Sequence, residues 1–373
     1  MMLNDLDLYN KTNKKKILNS IERAIDENKF IFGKQVKKLE KNLSKFTGSK
    51  YVCTVGSGTD ALLLSLLSLE LKKGDEIIIP SFSWLSVVEV VLLLNLKPIF
   101  LDAKLDDFNP DFNNLKKKIN KKTKAVISTS LFGRTCDLKK IKKILPAKIK
   151  LIEDGAQNLG SILKGKNSLN IADISCTSFF PSKNLGSFGD GGAIFTNNKK
   201  IFEKLLSLRN HGQLKYSITT SGPGLNSRLG SIQSAILLEK LKGINTKINN
   251  QIKLYRKYQN FFLKNNIIGF PKINTNLNTK DALSTFNILV KKRSKLIKLF
   301  NKKKIPFKIY YPKPLYNQYN LKIKAKLKNT EFLCKSIISL PFNDINKTRF
   351  KSTLNKLNKI ISINKEIFFE KKI

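Results

Sequence analysis

The chain has 373 residues, of which 41% are hydrophobic, and a formal net charge of +43. This length favours two domains, because a single core rarely grows beyond about 250 to 300 residues. Such a charge is compatible with a nucleic-acid partner. However, only seven of the 70 basic residues are arginines, the residue that forms bidentate hydrogen bonds with phosphates and base edges. The lysines run along the whole chain, so a solvated basic surface is the favoured interpretation and we expect no nucleic-acid partner.

The same composition argues against several other kinds of site. The four cysteines are scattered without a Cys-x-x-Cys pair, which predicts free thiols and a cytoplasmic protein. One histidine and no carboxylate cluster with ligand spacing predict that no metal is bound. The most apolar run, residues 87–96, is short and carries Glu89, so no membrane segment is expected.

From about residue 50, short apolar runs alternate with helical patterns, which is the signature of βαβ units and a parallel sheet. The strands are continuously apolar, so helices should cover both faces of that sheet. Strands are predicted at 50–55, 75–80, 97–102, 124–130 and 148–154, with helices after the first strand, near 84–94 and near 138–144.

After residue 154 the pattern changes. Two shorter runs, 172–180 and 191–197, are interpreted as late strands of the same sheet, and helices are predicted at 200–208 and 228–240. A long lysine-rich helix near 247–263 is interpreted as a connector, followed by a smaller α+β domain with a terminal amphipathic helix. We therefore expect a large domain over residues 1–240, with an N-terminal helical arm, and a small domain over residues 241–373.

Three distinctive features follow the ends of predicted strands, where open α/β sheets bind their ligands. In VGSGTDAL, Gly58 and Thr59 begin a helix, which is either an anion site for a phosphate or a plain capped turn. Asp154 either caps the next segment or faces a cationic ligand atom, with Gln157 in reach of the same ligand. Trp84 is the only tryptophan, and taken alone it is more typical of core packing.

The fourth feature is the stretch SFFPSKNLGSFGDGG, residues 178–192, which contains Lys183 and begins at Ser178. In a chain this rich in lysine, Lys183 is the only one between Lys166 and Lys199. The glycines around it are interpreted as room for a ligand rather than as a loose loop.

One ligand accounts for all four features. Pyridoxal 5'-phosphate needs an anion site for its phosphate, an aromatic side chain against its ring, a carboxylate at its pyridine nitrogen and a lysine to bind its aldehyde as a Schiff base. Thr59, Trp84, Asp154 and Lys183 supply these four groups. A scarcity of other lysines near Lys183 also fits, because stray ammonium groups would compete for the aldehyde and the phosphate.

Ten stretches of the chain together match a known family in order and spacing: GSGTDALLLSL, GDEIIIPSFSW, KPIFLDA, TKAVISTSLFG, LIEDGAQNLGS, TSFFPSKNLGSFGDGGAIFTN, LRNHGQ, NSRLGSIQSAIL, YYPKPLYNQ and SLPF. Through them the chain resembles, from about residue 20 to residue 345, the sugar-nucleotide aminotransferases of the DegT/StrS family. The lysine motif with its Gly-Asp-Gly-Gly tail is highly specific. The sequence particularly resembles aminotransferases for UDP-2-acetamido-2-deoxy-3-oxo-glucuronate.

This resemblance implies an α/β fold of the aspartate-aminotransferase type, fold type I among pyridoxal phosphate enzymes. It has a large, mixed, mostly parallel sheet domain and a smaller C-terminal α+β domain. The resemblance further implies a homodimer whose active sites are shared between the subunits.

It also implies roles for the residues that match the family's motifs. Lys183 binds the cofactor covalently, Asp154 pairs with the pyridine nitrogen, and Gln157 lies near the ring hydroxyl. The other cofactor contacts are Trp84 on the ring, Gly58, Thr59 and Ser178 on the phosphate, and Asn226 on the phosphate of the other subunit. The implied substrate contacts are Phe30 in the loop NKFIFG, Ser182, Arg228, Tyr310 and Tyr311.

These expectations describe a ping-pong transamination, in which Lys183 moves a proton first as a general base and then as a general acid. By resemblance the amino donor is L-glutamate and the acceptor a keto-sugar nucleotide, which a basic pocket would suit. A UDP-linked 3-oxo-glucuronate derivative for surface polysaccharide, such as lipopolysaccharide, is the preferred acceptor. Dehydratase members carry histidine where Lys183 stands, so the lysine favours transamination.

Two alternatives stay open at the level of the sequence. The acceptor could instead be a 4-keto-6-deoxy nucleotide sugar. From a different class, the protein could be a non-catalytic pyridoxal phosphate binder or a nucleic-acid-binding regulator. The response of a visible absorption band to glutamate distinguishes an enzyme from either of these.

Overall fold

The computed structural model describes residues 7–213, 222–271, 273–276, 278–319, 321, 325–342 and 347–370. Its helices are α1 Asp7–Asp26, α2 Lys34–Thr47, α3 Gly58–Leu67, α4 Ser86–Leu93, α5 Leu115–Lys118, α6 Leu138–Ile144, α7 Lys199–Leu208, α8 Ser231–Leu241, α9 Ile244–Lys264, α10 Arg293–Lys302, α11 Lys328–Ser336 and α12 Lys347–Ile361. Its strands are β1 Tyr51–Val55, β2 Glu76–Pro80, β3 Lys97–Leu101, β4 Thr123–Thr129, β5 Lys150–Asp154, β6 Ile162–Leu163, β7 Lys166–Asn167, β8 Ile174–Ser178, β9 Gly192–Thr196, β10 Ile267–Ile268, β11 Thr279–Lys280, β12 Phe286–Leu289, β13 Ile337–Leu340 and β14 Phe369–Glu370.

The main sheet has seven strands in the order β1-β9-β8-β5-β4-β2-β3. The pairs from β8 to β3 are parallel, whereas β9 is antiparallel to both β1 and β8. The sheet is therefore mixed and mostly parallel, as predicted. The two late runs are confirmed as β8 and β9 of this same sheet.

Both faces of this sheet are buried. In β2, Ile77 and Ile79 pack on one side in a cluster that includes Val87 and Val90 of α4. Ile78 points to the other side and joins a cluster that includes residues of α6. Because successive side chains of a strand point to opposite faces, a sheet covered on both sides selects continuously apolar strands.

Local capping fixes where several of the crossover helices begin. Ser57, Asp137 and Asn198 accept backbone N–H bonds from the first turns of α3, α6 and α7. Such side chains satisfy amides that have no partner inside the helix. The helices α3 and α7 begin close behind β1 and β9, at Gly58 and Lys199, whereas α6 begins at Leu138 after the longer loop that follows β4.

The C-terminal part is organised around a second antiparallel pair, β12 with β13. Phe286 of β12 stacks on Tyr258 and Phe262 of α9, with ring centroids 4.7 and 5.8 Å apart. The terminal amphipathic helix is confirmed as α12, which buries Phe350 and Leu357 among others. We propose that the boundary between the two domains lies at about residue 241, between α8 and α9.

All four cysteine thiols are free, as predicted, and all four are buried. Within the described ranges, no helix combines the length and the apolar character needed to cross a membrane. The same ranges contain no group of three or more His, Cys, Asp or Glu residues arranged to hold a metal ion.

Candidate active site

The carboxyl ends of β1, β2, β4, β5 and β8 open into one cavity of about 360 Å³. A volume of this size is typical of sites for small molecules and cofactors. Ten of the residues singled out from the sequence line this cavity: Gly58, Thr59, Trp84, Asp154, Gln157, Ser178, Ser182, Lys183, Tyr310 and Tyr311. The structure therefore brings the four sequence features into one space.

Lys183 enters the cavity from a tight turn after β8. Its backbone N–H donates to the carbonyl of Phe180 at 2.9 Å. The next residue, Asn184, is buried and donates to the carbonyl of Ala282 at 2.7 Å, which ties the turn to the C-terminal part of the chain. Burial lowers the pKa of the Lys183 ammonium, although the nearby Asp154 carboxylate opposes this shift. A larger fraction of neutral, nucleophilic amine follows.

Asp154 ends β5 and is 9% exposed. One of its oxygens, Oδ1, accepts the N–H of Ala156 at 3.1 Å, and the other has no donor among the residues that the structure describes. Burial raises the pKa of the Asp154 carboxyl, while the Ala156 N–H and Lys183 act in the opposite direction. A cationic ligand atom at this position would complete the pairing of the carboxylate.

The first turn of α3 lies directly against the end of β8. A Cβ atom added to Gly58 would come within 2.7 Å of the Ser178 Cβ, so the two elements can approach this closely only with glycine at position 58. Ser57 caps the N–H of Asp60, which leaves the N–H groups of Gly58 and Thr59 without acceptors among the described residues. Free amides at a helix N-terminus are suited to bind anions, so the turn is capped and still has the donors that an anion site would need.

Gln157 connects two parts of the cavity wall. Its Oε1 accepts the backbone N–H of Phe132 at 2.8 Å, and its Nε2 donates to the hydroxyl oxygen of Tyr311 at 3.1 Å. The Tyr311 ring also stacks on Phe132 with a centroid distance of 6.3 Å. The peptide bond between Tyr310 and Tyr311 is cis.

Trp84 is 53% exposed although it follows a fully buried strand. Its ring lies 6.1 Å from the Tyr311 ring, at the cavity wall. Core packing, the more typical role of a lone tryptophan, is therefore wrong for this residue. Its position instead leaves an aromatic face available to a flat ligand.

Three predicted contact residues lie outside the cavity of their own chain. Phe30 is 44% exposed, with its carbonyl held by the N–H of Ser231 at 2.8 Å. Asn226 is exposed and pairs through its backbone with Asn210. Arg228 donates from Nη1 to the Asn210 side chain at 3.0 Å. Within one chain these three residues therefore do not line the cavity that the other predicted site residues share.

Comparison with known proteins decides the family. Residues 11–352 match the model of the DegT/DnrJ/EryC1/StrS aminotransferase family. The chain belongs to this family.

Two relatives and one crystal structure show the extent of the similarity. The chain is 35% identical to the UDP-2-acetamido-2-deoxy-3-oxo-D-glucuronate aminotransferase of Pseudomonas aeruginosa, over 92% of this chain and 95% of that protein. It is 30% identical to the dTDP-3-amino-3,6-dideoxy-alpha-D-galactopyranose transaminase of Aneurinibacillus thermoaerophilus, over 91% and 94%. The crystal structure of ntda from Bacillus subtilis with bound cofactor pmp superimposes with a TM-score of 0.87 and 27% identity, covering 94% of this chain and 82% of that one.

The DegT/DnrJ/EryC1/StrS chain is thus a pyridoxal phosphate-dependent aminotransferase of fold type I. Its own residues fit the cofactor. The incompletely paired Asp154 carboxylate suits a protonated pyridine nitrogen, and the free amides of Gly58 and Thr59 suit a phosphate. When bound, the cofactor draws electrons from the carbon that exchanges its amino group and so makes the proton on that carbon acidic. Family membership also favours the enzyme over a non-catalytic binder or a regulator.

Two features of the cavity lining bear on the interpretation of the sequence. Lys183 is the only cationic side chain among the described lining residues, beside the carboxylates Asp154 and Asp190, so within one chain the cavity is not the basic pocket that would suit an anionic substrate. The glycines near Lys183 do not simply leave room for a ligand. A Cβ at Gly186 or Gly192 would clash with a backbone carbonyl of the chain itself, so these glycines permit close packing of the loop.

Several lining residues were missed from the sequence. Ser284 and Thr285 reach the cavity from the C-terminal part, more than 90 residues after Lys183, and no local pattern marks them. The sequence contains one weak indication for Phe132, its position just after a predicted strand. Its left-handed backbone conformation (φ 58°), which is unusual for an aromatic residue, is visible only in the structure. Ser86 and Asp190 also went unassigned.

Proposed function

We propose that the enzyme transfers an amino group from L-glutamate to a nucleotide-linked keto sugar, with a UDP-linked 3-oxo-glucuronate derivative as the preferred acceptor. The observation that carries this proposal is the position of Lys183, which shares one cavity with Asp154, Trp84 and Thr59. The coarser statement, a sugar aminotransferase for nucleotide-linked keto intermediates, fits both curated relatives named above. We place the enzyme in the cytoplasm, in a pathway that makes surface polysaccharide.

In this proposal each residue has a defined task. Asp154 holds the cofactor's ring nitrogen in its protonated form, and Trp84 holds the ring by stacking. Gly58, Thr59 and Ser178 hold the phosphate. Lys183 binds the cofactor in the resting enzyme and, once the amino donor has displaced it, takes the proton from the donor's α-carbon and returns a proton on the other side of the transferred nitrogen. The lowered pKa of Lys183 supports this role, because a base must be unprotonated to act.

The choice of acceptor depends on similarity across nearly the whole chain. The relative with 35% identity, which this chain covers to 95%, is a UDP-2-acetamido-2-deoxy-3-oxo-D-glucuronate aminotransferase. The relative with 30% identity is named for a dTDP-linked dideoxy sugar. The higher identity favours the UDP-linked 3-oxo uronate, with Ser182, Tyr310, Tyr311, Phe30 and Arg228 as the proposed sugar-nucleotide contacts.

We further propose that the active form is a homodimer with shared sites. The diphosphate of a nucleotide sugar and the two carboxylates of glutamate bring several negative charges, whereas the described lining of one chain offers Lys183 alone as a cation. Asn226 is exposed and Arg228 lies outside its own cavity. A second subunit that inserts these two side chains would supply the missing phosphate and substrate contacts.

Spectroscopy of the purified protein tests the reaction. The protein with pyridoxal phosphate should show a visible band that shifts on addition of L-glutamate and is absent in Lys183→Ala. A panel of UDP- and dTDP-linked 3-oxo and 4-oxo sugars then identifies the acceptor, which should restore the original band. A band that no amino donor shifts would contradict the transaminase. Turnover of only 4-oxo-6-deoxy sugars would favour the alternative acceptor.

Complementation tests the shared site. Lys183→Ala and Asn226→Ala/Arg228→Ala proteins should each be inactive, and a refolded or co-expressed mixture should regain activity because one of the two sites in a mixed dimer has every residue intact. A mixture as inactive as its two components would contradict sharing. Activity of the double variant alone would show that neither residue is needed.

A further inference from the structure

The hydrogen bonds around Gln157 have a fixed direction. A backbone N–H can only donate, so the N–H of Phe132 at 2.8 Å must face the Gln157 oxygen, Oε1. The amide nitrogen of Gln157 then has to face Tyr311, and it donates to the Tyr311 hydroxyl oxygen at 3.1 Å. The orientation of the amide is thereby set by the chain itself.

This direction leaves the Tyr311 proton available. The hydroxyl oxygen already accepts from Gln157, and no acceptor for its own O–H is found within the described part of the chain. Tyr311 lines the cavity and is only 8% exposed. The hydroxyl proton is therefore free to be donated to a ligand in the cavity that Tyr311 lines.

The ring of Tyr311 is held in place as firmly as its hydroxyl. It packs edge-on against Phe82 at 5.6 Å, stacks on Phe132 at 6.3 Å and lies 6.1 Å from Trp84. A tyrosine fixed at both ends delivers its proton to one point in the cavity, which is the requirement for a general acid. Burial, and to a smaller extent the nearby Asp154 charge, raise the pKa of the Tyr311 hydroxyl, so the group stays protonated at neutral pH.

We propose that Tyr311 is the general acid that protonates the oxygen leaving the keto sugar as water. This inference rests on the proposed function and extends it, because Lys183 accounts for the proton on carbon but not for the protons on oxygen. When the sugar's C=O is replaced by C=N, the carbon forms two bonds to the amino nitrogen and loses both of its bonds to oxygen. The nitrogen gives up two protons and the oxygen receives two, leaving as water. Tyr311 donates these protons to the oxygen one after the other and is reprotonated from the nitrogen each time, so it ends the step unchanged.

The same exchange runs in reverse with the amino donor. When glutamate becomes a keto acid, water adds to the carbon that loses its nitrogen, and Tyr311 then accepts and returns a proton. The proposed acid can consequently be tested with an amino donor alone. The result of this test does not depend on which sugar the enzyme accepts.

Tyr310 is the natural competitor, since it also lines the cavity. Its hydroxyl has no hydrogen-bond partner among the described residues, so nothing fixes the direction of its proton. Tyr51 offers a matched control, because it lies at the far end of β1 and its ring stacks on Phe202 away from the cavity.

The experiment compares Tyr311→Phe, Tyr310→Phe and Tyr51→Phe. Cofactor binding to the apoprotein is measured by quenching of Trp84, the only tryptophan, and the single-turnover rate by the shift of the visible band with whichever L-amino acid serves the unaltered enzyme. Tyr311→Phe should keep its thermal stability and cofactor affinity but lose roughly 10²- to 10⁴-fold in rate, the usual contribution of a general acid or base. Tyr51→Phe should match the unaltered enzyme.

A second measurement distinguishes a proton donor from a merely structural hydroxyl. Replacing Tyr311 by 3,5-difluorotyrosine keeps the ring and the hydroxyl but lowers the phenol's pKa. The alkaline limb of the pH–rate profile should move to lower pH, because the acid is lost once the phenol ionises. An unmoved limb would overturn the proposal, as would a Tyr311→Phe enzyme of full rate at saturating cofactor, or a loss confined to Tyr310→Phe.

Discussion

Lysines occur in two contrasting regions of this enzyme, the carboxyl edge of the main sheet and the outer face of α12. Lys347, Lys351 and Lys359 of α12 are exposed and share a helix whose other face is buried. Lys183 instead enters a cavity from a turn fastened by backbone and side-chain hydrogen bonds, beside a buried carboxylate. The residue type is the same, so burial and neighbouring groups are what single out Lys183 as the proposed catalytic lysine.

Replacing Lys183 should produce the largest effect of any single lysine. Lys183→Met removes the proposed covalent attachment and the proposed base together, and the transamination rate should fall at least about 10²- to 10⁴-fold. Lys351→Met, its matched control on α12, should react at the normal rate. Single-turnover spectroscopy with glutamate measures both. Equal rates in the two variants would contradict a special role for Lys183.

Replacing Asp154 should produce the second-largest loss of rate. This carboxylate is buried and lines the cavity, unlike the carboxylates of the surface. Asp154→Asn removes the charge that we propose lies opposite the pyridine nitrogen, and we expect a rate loss of roughly 10²- to 10³-fold, the scale of one lost preorganised contact in an active site. The exposed Asp106 provides the control as Asp106→Asn. A normal rate and normal cofactor affinity in Asp154→Asn would contradict the assignment of this residue.

A substitution at Gly58 tests how closely α3 and β8 are packed at the edge of the sheet. Gly58→Ala places a methyl group about 2.7 Å from the Ser178 Cβ, and overpacking of this kind typically destabilises a protein by about 1–3 kcal/mol. Gly189→Ala is the control, since its nearest atom outside the adjacent residues lies 3.7 Å away. Denaturant unfolding of the apoproteins gives the two free energies. Equal values would mean that α3 and β8 separate easily.

The buried charges in the cavity should also change the free energy of unfolding of the apoprotein. Burial lowers the pKa of Lys183 below its unfolded value, so the protonated form destabilises the fold and the unfolded state binds more protons at intermediate pH. Lys183→Met should therefore raise the free energy of unfolding at neutral pH. The gain should shrink as the pH rises towards the ordinary pKa of lysine. Unfolding curves at several pH values measure it, and a gain that grows with pH would contradict the sign.

Asp154→Asn should give the opposite pH trend. Burial raises the pKa of this carboxyl above its unfolded value, so the charged form destabilises the fold at neutral pH. The gain in the free energy of unfolding should then shrink as the pH falls from the raised pKa of Asp154 towards the ordinary pKa of aspartate. Parallel pH trends in Lys183→Met and Asp154→Asn would show that burial does not govern both groups.

The sequence predicted local features of this enzyme well and distant ones poorly. The strand after residue 148 and its terminal Asp154 follow from a continuous apolar run, and β8 with Lys183 from the next one. Ser284 and Thr285, by contrast, reach the cavity through the pairing of chain segments far apart in sequence. The role of Gly192 also depends on a distant contact, the carbonyl of Ser57. A hydrophobic period of two residues indicates a strand and one of 3.6 residues a helix, each within a single element. Contacts between distant elements are therefore not predicted from these periods.

The lysines of α12 should have the smallest effect on catalysis. Changing Lys347, Lys351 and Lys359 together to Gln removes three positive charges from a solvated face, where individual surface charges contribute little to stability. The transamination rate and the unfolding free energy should stay the same, while retention on a cation-exchange column falls. The same variant with glutamates would enlarge the change in charge without touching the cavity. A drop in rate with either variant would mean that the basic surface guides anionic substrates to the active site, and the two regions would then act together.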